Sequence, residues 1–279
     1  MTIHEARQFG AAKLCAVPDP WIDAELLLGH VVGMKRLMLS INAAQELTQE
    51  QERHYLKRLR LRAQREPLQY ILGTQCFYGC ELRVDPSVLI PRPETETLCE
   101  QVLLCMERYR LPSVADICTG SGAIAITLKK NRPDAKVWAT ELSAGALKTA
   151  KANAVRNDAE ITFLQGDLLA PLDGLTFDFI VSNPPYIRTE ALDTLQPEVL
   201  REPRLALDGG RDGLDFYRRL AQDAAKYLNR SGRIFLEFGD GQAEDVAAIF
   251  AASRQFEDIH VHPDLYGRQR VLEASRRFP

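Results

Sequence analysis

The chain lacks a long apolar run, a strong excess of charge of one sign, and a CxxC pair; Cys76 and Cys80 could pair with each other, but two ligands do not make a structural zinc site. No stretch approaches the roughly 20 consecutive apolar residues a membrane-spanning helix needs. Residues 1–14 are polar and mixed in charge, without the apolar centre of a signal peptide. No membrane contact is expected, and a cytoplasmic protein is. Lys and Arg number 35 against 38 Asp and Glu, a net charge of -3. Extensive neutralisation of a phosphate backbone is thereby disfavoured. The local exception is the run holding Lys57, Arg58, Arg60, Arg62 and Arg65, where direct contact with nucleic acid could occur. Such a run is ordinarily the solvated face of a helix. The six cysteines, at 15, 76, 80, 99, 105 and 118, form no CxxC pair and have no histidine cluster beside them. A metal site is therefore not expected. Nor is a disulfide framework in a chain of this size.

What the chain does have is an ordinary globular composition, 46% hydrophobic over 279 residues. That suits a small domain joined to a medium one. Residues 1–66 read as a helical domain. Asp19-Pro20 is a helix start with proline at its first position, followed by Ala24, Leu27, Leu28 and Val31 at helical spacing. Thr48 and Gln51 form a capping box. Between 67 and 92, glycines and prolines punctuate short apolar runs, which reads as a hairpin and linker. From 93 to 279, after a helix over about 94–108, short apolar strands alternate with helices. Strands are expected at 114–117, 136–140, 161–164, 177–181, 233–238 and 269–274, with helices at 123–130, 144–155 and 214–228. This alternation predicts an α/β domain, a parallel sheet covered on both faces.

In such sheets ligands sit beyond the carboxyl ends of the strands. The first strand runs into Asp116-Ile117-Cys118-Thr119-Gly120-Ser121-Gly122, whose glycines let backbone approach a ligand closely. The second ends at Glu141, where an acid can accept hydrogen bonds from ribose hydroxyls. The third is followed by Asp167, the fourth by Asn183-Pro184-Pro185-Tyr186. The glycine loop and acid alone fit a nicotinamide cofactor as well as S-adenosylmethionine. The Asn-Pro-Pro-Tyr run separates them. Two prolines directly after a buried strand fix an extended path. The carbonyls there, with the Asn183 side chain, become fixed acceptors suited to a planar NH2 group, and Tyr186 offers a flat face for it.

Asn183-Pro184-Pro185-Tyr186 is similar to the motif of methyltransferases acting on exocyclic or amide nitrogens. Over nearly its whole length the chain resembles the release factor glutamine methyltransferases. The resemblance is carried by Tyr70-Ile71-Leu72-Gly73, Phe77-Tyr78-Gly79, the stretch from Leu89 through Arg92, Pro93, Glu94 and Thr95 to Glu96, Val181 to Ile187, Glu202 to Leu207, Asp212-Gly213 and Gly267-Arg268. The chain departs from the pattern at Cys118, where glycine is usual, at Glu141, where aspartate is commoner, and at Leu168, where some members place an aromatic residue.

The resemblance implies a seven-stranded class I, Rossmann-like methyltransferase domain behind a small helical bundle. It implies S-adenosyl-L-methionine as cofactor, S-adenosyl-L-homocysteine as product, and peptide chain release factors as protein substrates. The modified group would be the glutamine of their Gly-Gly-Gln motif, giving N5-methylglutamine. Asp116, Cys118, Thr119, Gly120, Ser121, Gly122 and Glu141 would then hold the cofactor, with Asp167 and Leu168 framing its adenine. Asn183 and the Pro184 carbonyl would accept the amide hydrogens, and Tyr186 would pack on the amide plane beside Pro185. Arg92 and Glu94 would line the substrate entrance. Methylation of a ribosomal protein glutamine, or of an exocyclic amine in nucleic acid, stays open as an alternative.

Overall fold

A computed structural model describes residues 1–278. The chain folds as two units. One comprises Met1–Gly73 with Gln196–Arg201, the other Thr74–Leu195 with Glu202–Pro279.

The first unit contains α1 (Ile3–Lys13), α2 (Pro20–Val32), α3 (Arg36–Ile41), α4 (Gln49–Ala63) and α5 (Leu68–Leu72). Thr2 and Glu5 form a capping box at α1, and Thr48 and Gln51 do the same at α4. These bonds satisfy backbone N–H groups that a helix start leaves unpaired. Asp19 precedes α2 with Pro20 at its first position, but its side chain makes no capping bond. Ile3, Ala6, Ala24, Leu27, Leu28, Leu39 and Leu59 form the buried core around Tyr55. The Tyr55 hydroxyl donates toward the carbonyls of Ala6 (3.1 Å) and Ala24 (3.3 Å), satisfying its one polar atom in the interior.

The basic run of α4 is partly consumed inside this unit. Arg62 is 5% exposed and donates to Asp23 Oδ2 at 2.6 Å. Arg62 and Arg65 both donate to Glu198, at 2.7 and 2.6 Å. Glu198 lies in the segment that returns from far along the chain. Lys57 and Arg60 remain exposed. The expected linker over 67–92 divides differently: α5 belongs to the first unit, which runs to Gly73, and the second begins with a hairpin.

That hairpin is β1 (Thr74–Phe77) and β2 (Cys80–Arg83). After it come α6 (Glu94–Met106), β3 (Ser113–Ile117), α7 (Ala123–Asn131), β4 (Lys136–Glu141), α8 (Ala144–Arg156), β5 (Thr162–Gln165), β6 (Phe177–Ser182), α9 (Asp215–Asp223), β7 (Leu228–Glu237), α10 (Ala243–Ser253), β8 (Phe256–Pro263) and β9 (Gln269–Arg276). Among the described residues, seven strands form one sheet in the order β5-β4-β3-β6-β7-β9-β8. Pairings from β5 across to β7 are parallel, and β9 runs antiparallel to both neighbours.

Side chains alternate across the sheet. Val114, Phe179, Val181 and Phe235 face α6 and α7, while Ala115, Ile117, Ile180, Ile234 and Leu236 face α9 and α10. Burial on both faces is why these strands read as continuous apolar runs rather than alternating ones. No described helix is long and apolar enough to cross a membrane.

Candidate active site

The chain leaves β3 on one side to build β4 and β5, then returns to lay β6 on its other side. Such a reversal opens a crevice beyond the carboxyl ends of the central strands. A cavity of about 330 Å³ lies there. It is lined by residues following β3 (Cys118, Thr119, Gly120, Ser121), β4 (Glu141), β5 (Asp167, Leu168) and β6 (Asn183, Pro185).

Asp116 is fully buried near the end of β3 and does not itself line the cavity. Its Oδ2 accepts from the Thr119 hydroxyl (2.6 Å) and the Ala125 backbone N–H (3.1 Å), tying the glycine loop to the start of α7. Its Oδ1 is buried without a partner. Burial pushes its carboxyl up to about 7, because removal from water disfavours the charged form. Gly122 has φ +84°, and an added Cβ would lie 3.1 Å from Ile126 Cδ1 and 3.3 Å from Ala150 Cβ. Only a residue without a side chain fits that turn unstrained. Cys118 also has positive φ, 60°. The departure from glycine therefore holds a side chain in a conformation that L-residues disfavour. Glu141 Oε2 accepts from Gly120 N, and its Oε1 from Ser143 N, each at 2.9 Å. Asp167 pairs through Oδ2 with Arg219 at 2.6 Å. Leu168 is 7% exposed against the core.

Asn183 follows β6, half-buried. Its Nδ2 donates to Thr95 Oγ1 at 3.1 Å, and the residue lines the cavity. Pro184 and Tyr186 lie outside the cavity lining. Burial raises the Tyr186 hydroxyl above the ordinary tyrosine range. The backbone beyond the two prolines is locked. Ile187 N donates to Leu207 O (2.9 Å), Gly209 N donates to Ile187 O (2.8 Å), and Gln242 Nε2 donates to the Tyr186 carbonyl (3.1 Å). At Gly213, φ +78°, an added Cβ would lie 2.4 Å from that carbonyl.

Arg92 lines the cavity wall with its guanidinium bound to Glu202. Glu94 lies outside the lining, in the first turn of α6.

Two groups of site residues escaped the sequence reading. Pro86, Ser87, Val88, Leu89 and Pro91, within the expected linker, form one wall, a strap over the cavity. Asp85 anchors that wall, accepting from Ser87 N (2.9 Å) and the Thr149 hydroxyl (3.2 Å). Glu202 is 5% exposed and accepts from Ile90 N at 2.9 Å, holding the strap's other end. The signal was present: prolines at 86 and 91 stiffen a segment that a mere tether would not need stiff. Leu205, Ala206 and Phe216 line the cavity too. Glu237 is 1% exposed at the end of β7, with its carboxyl group beside Asn183 and Thr95.

A doubly wound sheet with a glycine loop, an acid after the neighbouring strand and an Asn-Pro-Pro-Tyr run, all at one switch point, defines a methyltransferase of the Rossmann-like class. Residues 98–212 match the family model described as Methyltransferase small domain, and residues 5–73 match the PrmC N-terminal domain. A methyltransferase structure from Pyrococcus furiosus shares the fold, with a TM-score of 0.54 at 18% identity over 72% of this chain and 90% of that one. Two curated relatives are named release factor glutamine methyltransferase. The one from Geobacter sulfurreducens is 45% identical over 92% of this chain and 89% of its own. The one from Moorella thermoacetica is 42% identical over 99% of both. The chain belongs to the release factor glutamine methyltransferase family.

Proposed function

We propose that this protein transfers a methyl group from S-adenosyl-L-methionine to the side-chain amide nitrogen (N5) of the glutamine in the Gly-Gly-Gln motif of peptide chain release factors. The observation that carries this reading is one cavity lined by the glycine loop, Glu141 and Asn183 together. Its residues fit the cofactor. Glu141, already an acceptor of two backbone N–H groups, is suited to ribose hydroxyls. The Asp167 oxygen not paired with Arg219 would accept from the adenine amino group, with Leu168 an apolar neighbour for the ring. Cys118, Thr119, Gly120 and Ser121 line the cavity and would meet the ligand; Gly122, outside that lining, makes the tight turn into α7, and Asp116 braces the loop from behind. S-adenosyl-L-methionine, when bound, supplies a methyl group activated by the positive sulfur.

An amide nitrogen is a weak nucleophile because its lone pair is delocalised into the carbonyl. Asn183 Oδ1 and the Pro184 carbonyl accept its two hydrogens. That fixes the nitrogen in line for attack and favours the positive charge developing on it; as the N–C bond forms the methyl–sulfur bond breaks, S-adenosyl-L-homocysteine leaves, and the extra amide proton passes to water. The rigid Pro184-Pro185 path keeps those acceptors in place at no cost during reaction. Tyr186 supports the motif by its packing, and the strap holding Arg92 narrows access for water.

The test uses labelled cofactor, the purified protein and a release factor, beside a release factor whose Gly-Gly-Gln glutamine is alanine. Label goes to the first factor only, and Asn183→Ala abolishes it. Label on neither factor, with cofactor still bound by calorimetry, would redirect the reading to a ribosomal protein glutamine or an exocyclic amine of nucleic acid.

A further inference from the structure

An asparagine side chain can accept a substrate N–H only if its oxygen, not its nitrogen, faces the substrate. The two ends of the amide are nearly the same size, so sterics alone do not choose between them. Something must hold Asn183 the right way round.

Thr95 and Glu237 surround its inner side. Thr95 is 5% exposed in the first turn of α6, and its Oγ1 accepts from Asn183 Nδ2 at 3.1 Å. Glu237 is 1% exposed, and its carboxyl group lies beside both the Thr95 hydroxyl and the Asn183 amide. A hydroxyl has one hydrogen to give and can turn it toward either neighbour. A carboxylate is a far better acceptor than an amide oxygen, so the Thr95 hydrogen goes to Glu237. Its lone pairs then face Asn183, where only an N–H satisfies them. The flipped asparagine would set its oxygen against the Thr95 lone pairs. One end of Glu237 is otherwise held only through backbone: the Tyr217 hydroxyl donates to its carbonyl at 2.8 Å, and Oε2 has no partner. A buried carboxylate with so few bonds is costly as mere packing.

We propose that Thr95 and Glu237 are positioning residues that impose one orientation on the Asn183 amide, its NH2 turned inward and its carbonyl oxygen toward the target nitrogen. This rests on the reading of Asn183 as the substrate's acceptor.

The experiment compares Thr95→Val, Thr95→Ser and Glu237→Gln with the parent, using a release factor and S-adenosyl-L-methionine. Valine keeps the shape of threonine but removes the hydroxyl. In Thr95→Val and Glu237→Gln, kcat falls on the order of tenfold, the worth of one hydrogen bond to a charged group. KM for the release factor and cofactor affinity by calorimetry stay within about twofold. Thr95→Ser recovers most of the rate lost in Thr95→Val. A Thr95→Val enzyme as fast as the parent, or a serine variant no faster than the valine one, overturns the proposal. A second measurement needs no turnover: the Asn183 side-chain N–H signals in NMR exchange slowly with water in the parent and faster in Thr95→Val and Glu237→Gln. Equal exchange in all three also overturns it. A parent inactive on release factors but with protected Asn183 hydrogens would fault the substrate reading and leave the orientation device standing.

Discussion

Asp116→Asn separates stability from pH in a way that can be worked from the structure. The carboxyl of Asp116 is wholly buried, with Oδ2 accepting from Thr119 and Ala125 and Oδ1 meeting nothing. Burial raises it from 3.8 to about 7. Between those values the folded protein keeps a proton that the unfolded chain releases, so stability falls as pH rises from about 4 to about 7 and then levels. At about 1.4 kcal/mol per pH unit, the whole interval amounts to on the order of 4 kcal/mol. Glu237 is raised by burial to about 7 as well, and adds a decline over a similar window. Asparagine keeps an oxygen for Thr119 and Ala125 and removes the ionisation. Urea unfolding at pH 5, 6, 7 and 8 should therefore show a shallower decline in the variant, which is the more stable protein at pH 8 and gains little or nothing at pH 5. A variant with the parent's slope, or one less stable at pH 8, would refute the assignment of a strained buried charge to Asp116.

Glu198→Gln tests the return segment of the first unit. Burial works against the Glu198 charge, but Arg65 and Arg62 outweigh it and hold the carboxyl down at about 2. Its stabilisation is present above about pH 4.5 and lost as pH falls toward 2. Unfolding at pH 7 should show a loss of about 1–3 kcal/mol, discounted from a fully buried pair for its partial exposure, and the loss should vanish near pH 2–3. Gly213→Ala drives a Cβ against the Tyr186 carbonyl. Methyl transfer is expected to fall on the order of tenfold or more as the acceptors shift, with cofactor binding by calorimetry little changed.

The elements legible in the sequence are those whose environment repeats along the chain. Strands β3, β4 and β6 are largely buried on both faces, so each is a short apolar run with glycine, proline or an acid beyond its end, and the expected bounds fall within a residue or so of the observed ones. Strand β7 is matched only over its buried second half; its start at Leu228, followed by the exposed Arg230 and Ser231, lies five residues before the expected strand. Strand β8 was missed because it is an edge. Its residues are mostly exposed or half-exposed, its pairing slips between Glu257 and His260, and Asp258 has φ 49°, so no regular alternation survives. The cavity divides the same way. Strand-end residues could be placed because topology brings every carboxyl end to one crevice. The strap over 86–91 and Glu202 could not, because nothing local ties a proline-flanked loop to an acid more than a hundred residues later. The same limit explains Glu237. Beside Phe238 and Gly239 it reads as the polar end of one more strand, and only the packing of α6 against β7 brings Thr95 to it. A buried carboxyl group becomes informative when its neighbours are known, and those neighbours, Thr95 on α6 and Asn183 just after β6, lie 88 residues apart in the sequence.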